Sequence, residues 1–289
     1  MRLITAFSLA LALQAPLLAS ADRPSSASID TSRKDKVVLS HEFRRGQSFS
    51  FTTTASQTIE SLDGIESVKA DSRVTLPVVY EVQRTEADGS AVLTLSAAGA
   101  NVSATANGRA VALGSFVDSL RSSRVTRAIR RDGTIAETTG TLPSDSSQAR
   151  TSAFVADLLA MHWVQFPAEP LAIGESWLQS IPLQLDDTTG KLNGSINARY
   201  TLVGFSGQNA VIDATYEAEV EGSLTEGSAG ARTVRVSGRG RGEGYVLFDP
   251  QGGVVVESGS RLGLVNTFTE TNGIRRVLSI SSQASTRRN

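Results

Sequence analysis

The chain has 289 residues, 40% of them hydrophobic, with no cysteine, two histidines, and 28 Lys+Arg against 29 Asp+Glu. The missing cysteine removes disulfides, thiolate nucleophiles and cysteine-held metals, and the near-zero charge lacks the basic footprint of a nucleic-acid binder. Stability must come from burial, for which the chain is long enough.

The first segment reads as an export signal. A single charge at Arg2 precedes an apolar run from Leu3 to Leu13, and Ala19-Ser20-Ala21 supplies an A-x-A site with cleavage expected before Asp22. Gln14 and Pro16 interrupt a run already shorter than the roughly 20 apolar residues of a spanning helix. With no cysteine to carry a lipid, the expected product is soluble and periplasmic or extracellular, with no integral membrane segment once the signal is removed. Residues 22–36 follow as a polar leader without apolar periodicity, expected to be disordered.

A first β module is expected over 37–137, then a Ser/Thr/Pro-rich linker over 138–151. The next segment is the one that argues for helix. Phe154, Val155, Leu158, Leu159 and Met161 form a broad apolar stripe after a Thr151 or Ser152 cap, and Phe166-Pro167 ends it. The helix is placed at 152–165, with its clearest part at 152–163.

A second β module is expected over 166–282, with a tail at 283–289. Ile196, Ala198, Tyr200 and Leu202 share one face, as do Ile212, Ala214, Tyr216, Ala218 and Val220, while Asp213, Glu217 and Glu219 take the other. The following run places Arg235, Arg239 and Arg241 on one face and Gly238, Gly240, Gly242 and Gly244 on the opposite one. Pairing of these two strands would set opposite charges across the ladder. A glycine-lined strand face signals close approach of a side chain or backbone, and Trp163, Trp177 and Phe205 are the candidates to fill it. Aromatic packing on glycine is the plainer reading, and a ligand groove formed by Trp163, Trp177 and the four glycines the sharper one.

The two modules repeat one another. Gly46-Gln47-Ser48-Phe49 matches Gly174-Glu175-Ser176-Trp177, and Tyr80-Glu81-Val82 followed by Ala91-Val92-Leu93 matches Tyr200-Thr201-Leu202 followed by Ala210-Val211-Ile212. The segment from Ile129 to Glu137 resembles Phe248 to Glu257, each a strand, a glycine turn and a strand. The expected architecture is mainly β, with antiparallel strands from two related halves in two curved sheets or one long one.

Gly174, Ser176 and Trp177, then Gly238, Gly240, Gly242, Gly244, Phe248, Asp249 and Gly252, form a G-x-S-W segment followed by a G-x-G-x-G-x-G, F-D-x-x-G hairpin. In this pattern the chain resembles a family of uncharacterised secreted bacterial β proteins with a duplicated module. The resemblance implies an envelope setting and no particular chemistry. At the level of architecture alone it is similar to lipoprotein-carrier and lipid-binding β-clams, whose sheets wrap an apolar cavity.

Catalytic constellations are weak throughout. His41 and His162 lie far apart in sequence without metal-ligand spacing. Ser176 sits in Gly174-Glu175-Ser176-Trp177, but Leu178 stands where a nucleophile elbow needs glycine. Asp186-Asp187 runs into a turn, and Glu217 with Glu219 reads as a solvated strand face. The G-x-G-x-G-x-G run continues as strand rather than opening a helix, so it is no phosphate cradle. The sequence therefore predicts no catalytic residue, cofactor or metal. It predicts an exported protein that binds a lipid-like ligand or an envelope protein on a concave sheet, with a purely structural envelope module as the alternative and a hydrolase as a third reading.

Overall fold

The structure, a computed structural model, describes residues 23–25, 28–62, 69–97, 99–122, 124–139, 163–187, 190–226 and 232–289. The residues of the signal, including Ala19, Ala21 and Asp22, and the segment 140–162 with most of the expected helix lie outside that set. The fold is mainly β and antiparallel, with one short helix among the described residues.

In chain order the strands are β1 (Ser48–Ser61), β2 (Lys69–Thr85), β3 (Ala91–Ser96), β4 (Asn101–Ala106), β5 (Arg109–Ala110), β6 (Arg124–Ile129) and β7 (Ile135–Thr139). They continue with β8 (Ser176–Asp187), β9 (Gly190–Ser206), β10 (Asn209–Glu226), β11 (Arg232–Asp249), β12 (Val254–Glu270) and β13 (Arg275–Arg288). All join one sheet in the order β7-β6-β3-β2-β1-β13-β12-β11-β10-β9-β8, with β4 and β5 pairing beside β2. The sheet is open, ending at β7 and β8. Pro182 lies in edge strand β8, and Pro77 falls in the gap between the β3 and β4 pairings, so each sits where a missing N–H costs the ladder least.

Period-two patterning explains which side is dry. In β10, Ala210, Ile212, Ala214, Tyr216, Ala218, Val220 and Leu224 are buried, while the acidic positions between them face out. The same alternation in β1, β2, β9, β11 and β12 builds one apolar face across the sheet. The expected pairing of acidic and basic strands is present: β10 pairs β11 with Glu217 opposite Arg241 and Glu219 opposite Arg239. The second pair closes to 3.4 Å, but both side chains are largely exposed, so it sets register more than stability.

The duplication is visible in the pairing register. Gly46 (φ 78°) donates its N–H to Val82 O at 2.9 Å, and Gly174 (φ 92°) donates to Leu202 O at 2.7 Å. Phe49 faces Tyr80 as Trp177 faces Tyr200. Val82 faces Leu93 as Leu202 faces Ile212, and Ala91 faces Ile129 as Ala210 faces Phe248. Even the bulges correspond, at Ala128/Ile129 and at Leu247/Phe248. The repeating unit is thus a five-stranded meander, β1-β2-β3-β6-β7 and β8-β9-β10-β11-β12, and β13 is inserted between the first strand of one unit and the last of the other.

Several expectations require correction. The leader is docked where it is described: Asp30 bridges Phe205, Arg23 reaches Asp213 at 2.8 Å, and Lys36 pairs Glu175 at 2.9 Å. Residues 283–288 are not a tail but the end of β13, which the small alternating residues Ala284 and Thr286 bury on one side. Trp163, Val164 and Gln165 are not helical, because backbone groups of this stretch bond outside it, Phe166 N to Asp132 O at 2.7 Å among them. The helix that is described, α1 (Gly114–Ser122), lies inside the first unit and buries Val117 and Leu120.

The glycine face fixes a test of the packing. An added Cβ at Gly242 would come within 3.0 Å of β12 backbone, whereas one at Gly263, across the same strand pair, would meet nothing within 4 Å. Gly242→Val is expected to destabilise the fold by about 1–3 kcal/mol through overpacking, and Gly263→Ala to leave it nearly unchanged, as measured by thermal or urea unfolding.

Candidate functional site

One end of the dry face is closed by aromatic side chains. The extended segment after Trp163 and the segment around His41 cross there before entering β8 and β1. Val37 and Leu171 exchange backbone hydrogen bonds at 2.8 Å, and Trp163 lies within 5.4 Å of the Phe43 and Tyr80 rings. Phe166 packs on Phe248 at 4.6 Å, and Trp177 stacks on Tyr200 at 5.4 Å. The Trp177 indole N–H donates to Gln165 O at 2.7 Å, tying the segment to β8.

His41 sits at the centre of this end and is 0% exposed. Its Nδ1 is 3.2 Å from Gly253 O and its Nε2 is 3.0 Å from Val164 O. A neutral imidazole has one N–H to donate, so one of these carbonyls is served at a time. Burial pushes its pKa down to about 4, against the opposing pull of the two carbonyls and of Asp132. The turn glycines of the two units take equivalent places here: a Cβ on Gly133 would strike Val164, and one on Gly253 would strike Glu42.

The structure separates the residues that the sequence grouped as a groove. Trp163 and Trp177 belong to the aromatic end. The atoms nearest a Cβ at Gly238, Gly240, Gly242 and Gly244 come instead from β12, with Asn266, Leu264, Leu262 and Ser260 in turn, and from the Tyr216 hydroxyl beside Gly244. Phe205 is elsewhere too, under the Arg33 guanidinium at 3.9 Å. The glycines therefore accommodate the close approach of β12 backbone and side chains.

The dry face also carries a polar minority that the sequence reading passed over. Thr53 and Thr286 hydroxyls lie 2.9 Å apart, and Gln57 Nε2 donates to Ser282 Oγ at 3.2 Å across the β1–β13 seam. On neighbouring β12, Ser258 Oγ, Ser260 Oγ and both amide atoms of Asn266 are buried without a hydrogen-bond partner. Such groups cost about 1–3 kcal/mol each when left unmet. A period-two pattern that exposes apolar-face serines as exceptions was the signal that could have found them.

The opposite face is charged. A shallow depression of about 350 Å³ on it is lined by Arg241, Glu243, Arg261 and Ser281 around Gly263. Arg261 pairs with Glu243 there. No cluster of three metal-ligating side chains occurs among the described residues. Ser176 Oγ contacts Thr201 Oγ1 at 2.8 Å rather than a base, Glu219 is paired with Arg239, and His162 lies outside the described set.

No protein-family model and no curated protein matches this sequence. Among solved structures the chain is similar to the translocator domain of the autotransporter NalP from Neisseria meningitidis, at 8% identity and a TM-score of 0.18, over 86% of this chain and 90% of that one. A likeness at that score carries no argument about fold or function.

The buried imidazole generates a pH dependence with a definite sign. Unfolded His41 takes a proton near 6.5 and the folded one only near 4, so between these values the unfolded chain holds more protons and acid favours it. Stability from this residue is full above about pH 6.5 and is lost as pH falls through the window to about 4, by an amount on the order of 3 kcal/mol. Urea melts of wild type and His41→Asn across that range are expected to differ in slope, the variant showing the shallower loss.

Proposed function

We propose that this chain is an exported, non-catalytic envelope protein that holds a hydrophobic ligand against the dry face of its sheet. The observation that carries this reading is the sorting of strands up to 18 residues long into one continuous apolar face and one charged face, in an open sheet. Membrane-crossing strands turn their apolar side to lipid and their polar side to a lumen. Here the buried side is apolar, and Glu217, Glu219, Arg239 and Arg241 occupy the exposed one, the sorting expected of a sheet that encloses apolar material in water. No helix among the described residues is long and apolar enough to cross a membrane.

Near-complete burial of the inward side chains, with Ile212, Val246 and Phe248 each 0% exposed, favours a second reading in which the face is filled by the protein itself and the chain is a structural envelope module. Native mass spectrometry of protein purified from the exported fraction, followed by lipid extraction, separates the two. A stoichiometric co-purifying lipid is the expected result. Protein that emerges at its bare mass and takes up no added lipid would leave the structural module standing.

A further inference from the structure

We infer that β8 pairs with β8 of a second copy of this chain, antiparallel about Ser180, so that two sheets join edge to edge. The inference stands apart from the ligand-binding reading, because it concerns the outer edge of the sheet and not its dry face.

β8 ends the sheet, and among the described residues its only strand partner is β9. Antiparallel strands turn the backbone groups of alternate residues toward opposite neighbours. Glu175 O accepts from Leu202 N at 3.1 Å, and the register runs on from there without a shift, so the odd-numbered groups of β8 face β9. The N–H and C=O groups of Ser176, Leu178, Ser180 and Gln184 therefore point to the open edge, where Pro182 offers a carbonyl alone. The segment around Gln165 bonds β8 through the side chains of Trp177 and Gln179, not through these groups.

The internal repeat shows that an edge of this kind accepts a strand. β8 corresponds to β1, and the outer edge of β1 is covered by antiparallel β13 from Phe51 to Ser61. There too the even-numbered groups point outward, Ser50 O accepting from Asn289 N at 2.9 Å. The side chains of β8 register the missing neighbour. Trp177, Ile181 and Leu183 are only partly buried, whereas Ile196, Ala198, Tyr200 and Leu202 on adjacent β9 are buried. On the other face Leu178 is 67% exposed, more than any other large apolar side chain among the described residues.

The strand that matches this edge is β8 itself. From Ser176 to Leu183 it carries no charge, so a second copy brings no like charges together and meets none of the lysines that guard sheet edges. Pro182 selects the register. Centring the pair on Pro182 would oppose two residues that lack an N–H, and centring it on Leu178 would set Pro182 against Gly174, whose N–H is already given to Leu202 O. Centring it on Ser180 places Leu178 beside Pro182 of the partner subunit on the exposed face, and Trp177 beside Leu183 of the partner subunit on the inward one. Two-fold symmetry makes each contact twice, and only the bond that Pro182 cannot donate is lost in each copy.

Analytical ultracentrifugation of the purified protein from roughly 1 to 100 μM is expected to show a monomer in equilibrium with a dimer. Leu178→Lys at its exposed position, and Ser180→Pro, which removes an edge N–H that β9 does not use, are each expected to weaken the dimer by about tenfold or more while leaving the circular dichroism of the monomer unchanged. The chain has no cysteine, so Ser180→Cys adds a single thiol on the symmetry axis, where paired Cα atoms lie roughly 5.5 Å apart. Oxidation is expected to link that variant into a covalent dimer and to leave Ser176→Cys, far from the axis, unlinked. A monomer throughout the concentration range overturns the assignment, as does a dimer that neither substitution weakens and that Ser180→Cys does not link.

Discussion

The continuity of this sheet depends on the antiparallel pairing of β13 with both β1 and β12. Each five-stranded unit is held internally by antiparallel pairing of successive strands, except that β4, β5 and α1 intervene between β3 and β6. Within the sheet the two units are joined through the last strand, whose residues pair Arg288 with Phe51 on one side and Arg287 with Glu257 on the other. The inward side of that strand changes from Leu278 and Ile280 to Ser282, Ala284 and Thr286. The hydroxyls of Thr286 and Ser282 on this strand bond across the seam to Thr53 and Gln57. The polarity of the seam is thus satisfied on the β1 side and unsatisfied at Ser258, Ser260 and Asn266 on the β12 side.

Much of this was legible in the residues. Alternation from Ile196 to Val220 predicts two strands with the correct dry face, and the arginines of β11 opposite the glutamates of β10 predict their pairing. The repeated G-x-S-aromatic and Tyr-x-Val/Leu segments place equivalent strands in equivalent register. What makes these readable is that each is a local or nearest-strand property, decided by side-chain period and by glycine where φ is positive.

The misreadings share the opposite cause. For the glycines from Gly238 to Gly244 a sequence shows a vacancy without showing what occupies it, and the occupants, Leu262, Leu264 and Asn266, are aliphatic or amide residues one hairpin away rather than aromatic ones. The leader looked unstructured because its contacts are isolated bridges such as Asp30 to Phe205, which leave no periodicity. Residues 283 to 288 looked like a tail because a seam strand built from Ser, Ala and Thr lacks the large apolar signal of an ordinary one. Helix α1 is only nine residues long and carries Ser, Asp and Gly, so its propensity is poor and tertiary burial of Leu120 sustains it.

Burial specifies most of the dry face, and its few polar side chains are exceptions to that pattern. A face sorted strictly into apolar residues would be specified by burial alone, and any sufficiently greasy filler would serve it. Ser258, Ser260 and Asn266 break the sorting on a single strand, in a chain whose only fully buried imidazole, His41 among the described residues, is already engaged by backbone carbonyls at the closed end. The closed end is therefore committed to holding the crossing segments, and its aromatic rings are in contact with one another. The hydroxyls of Ser258 and Ser260 and the amide of Asn266 gather on β12, beside glycines that bring β11 close and opposite a small-residue strand.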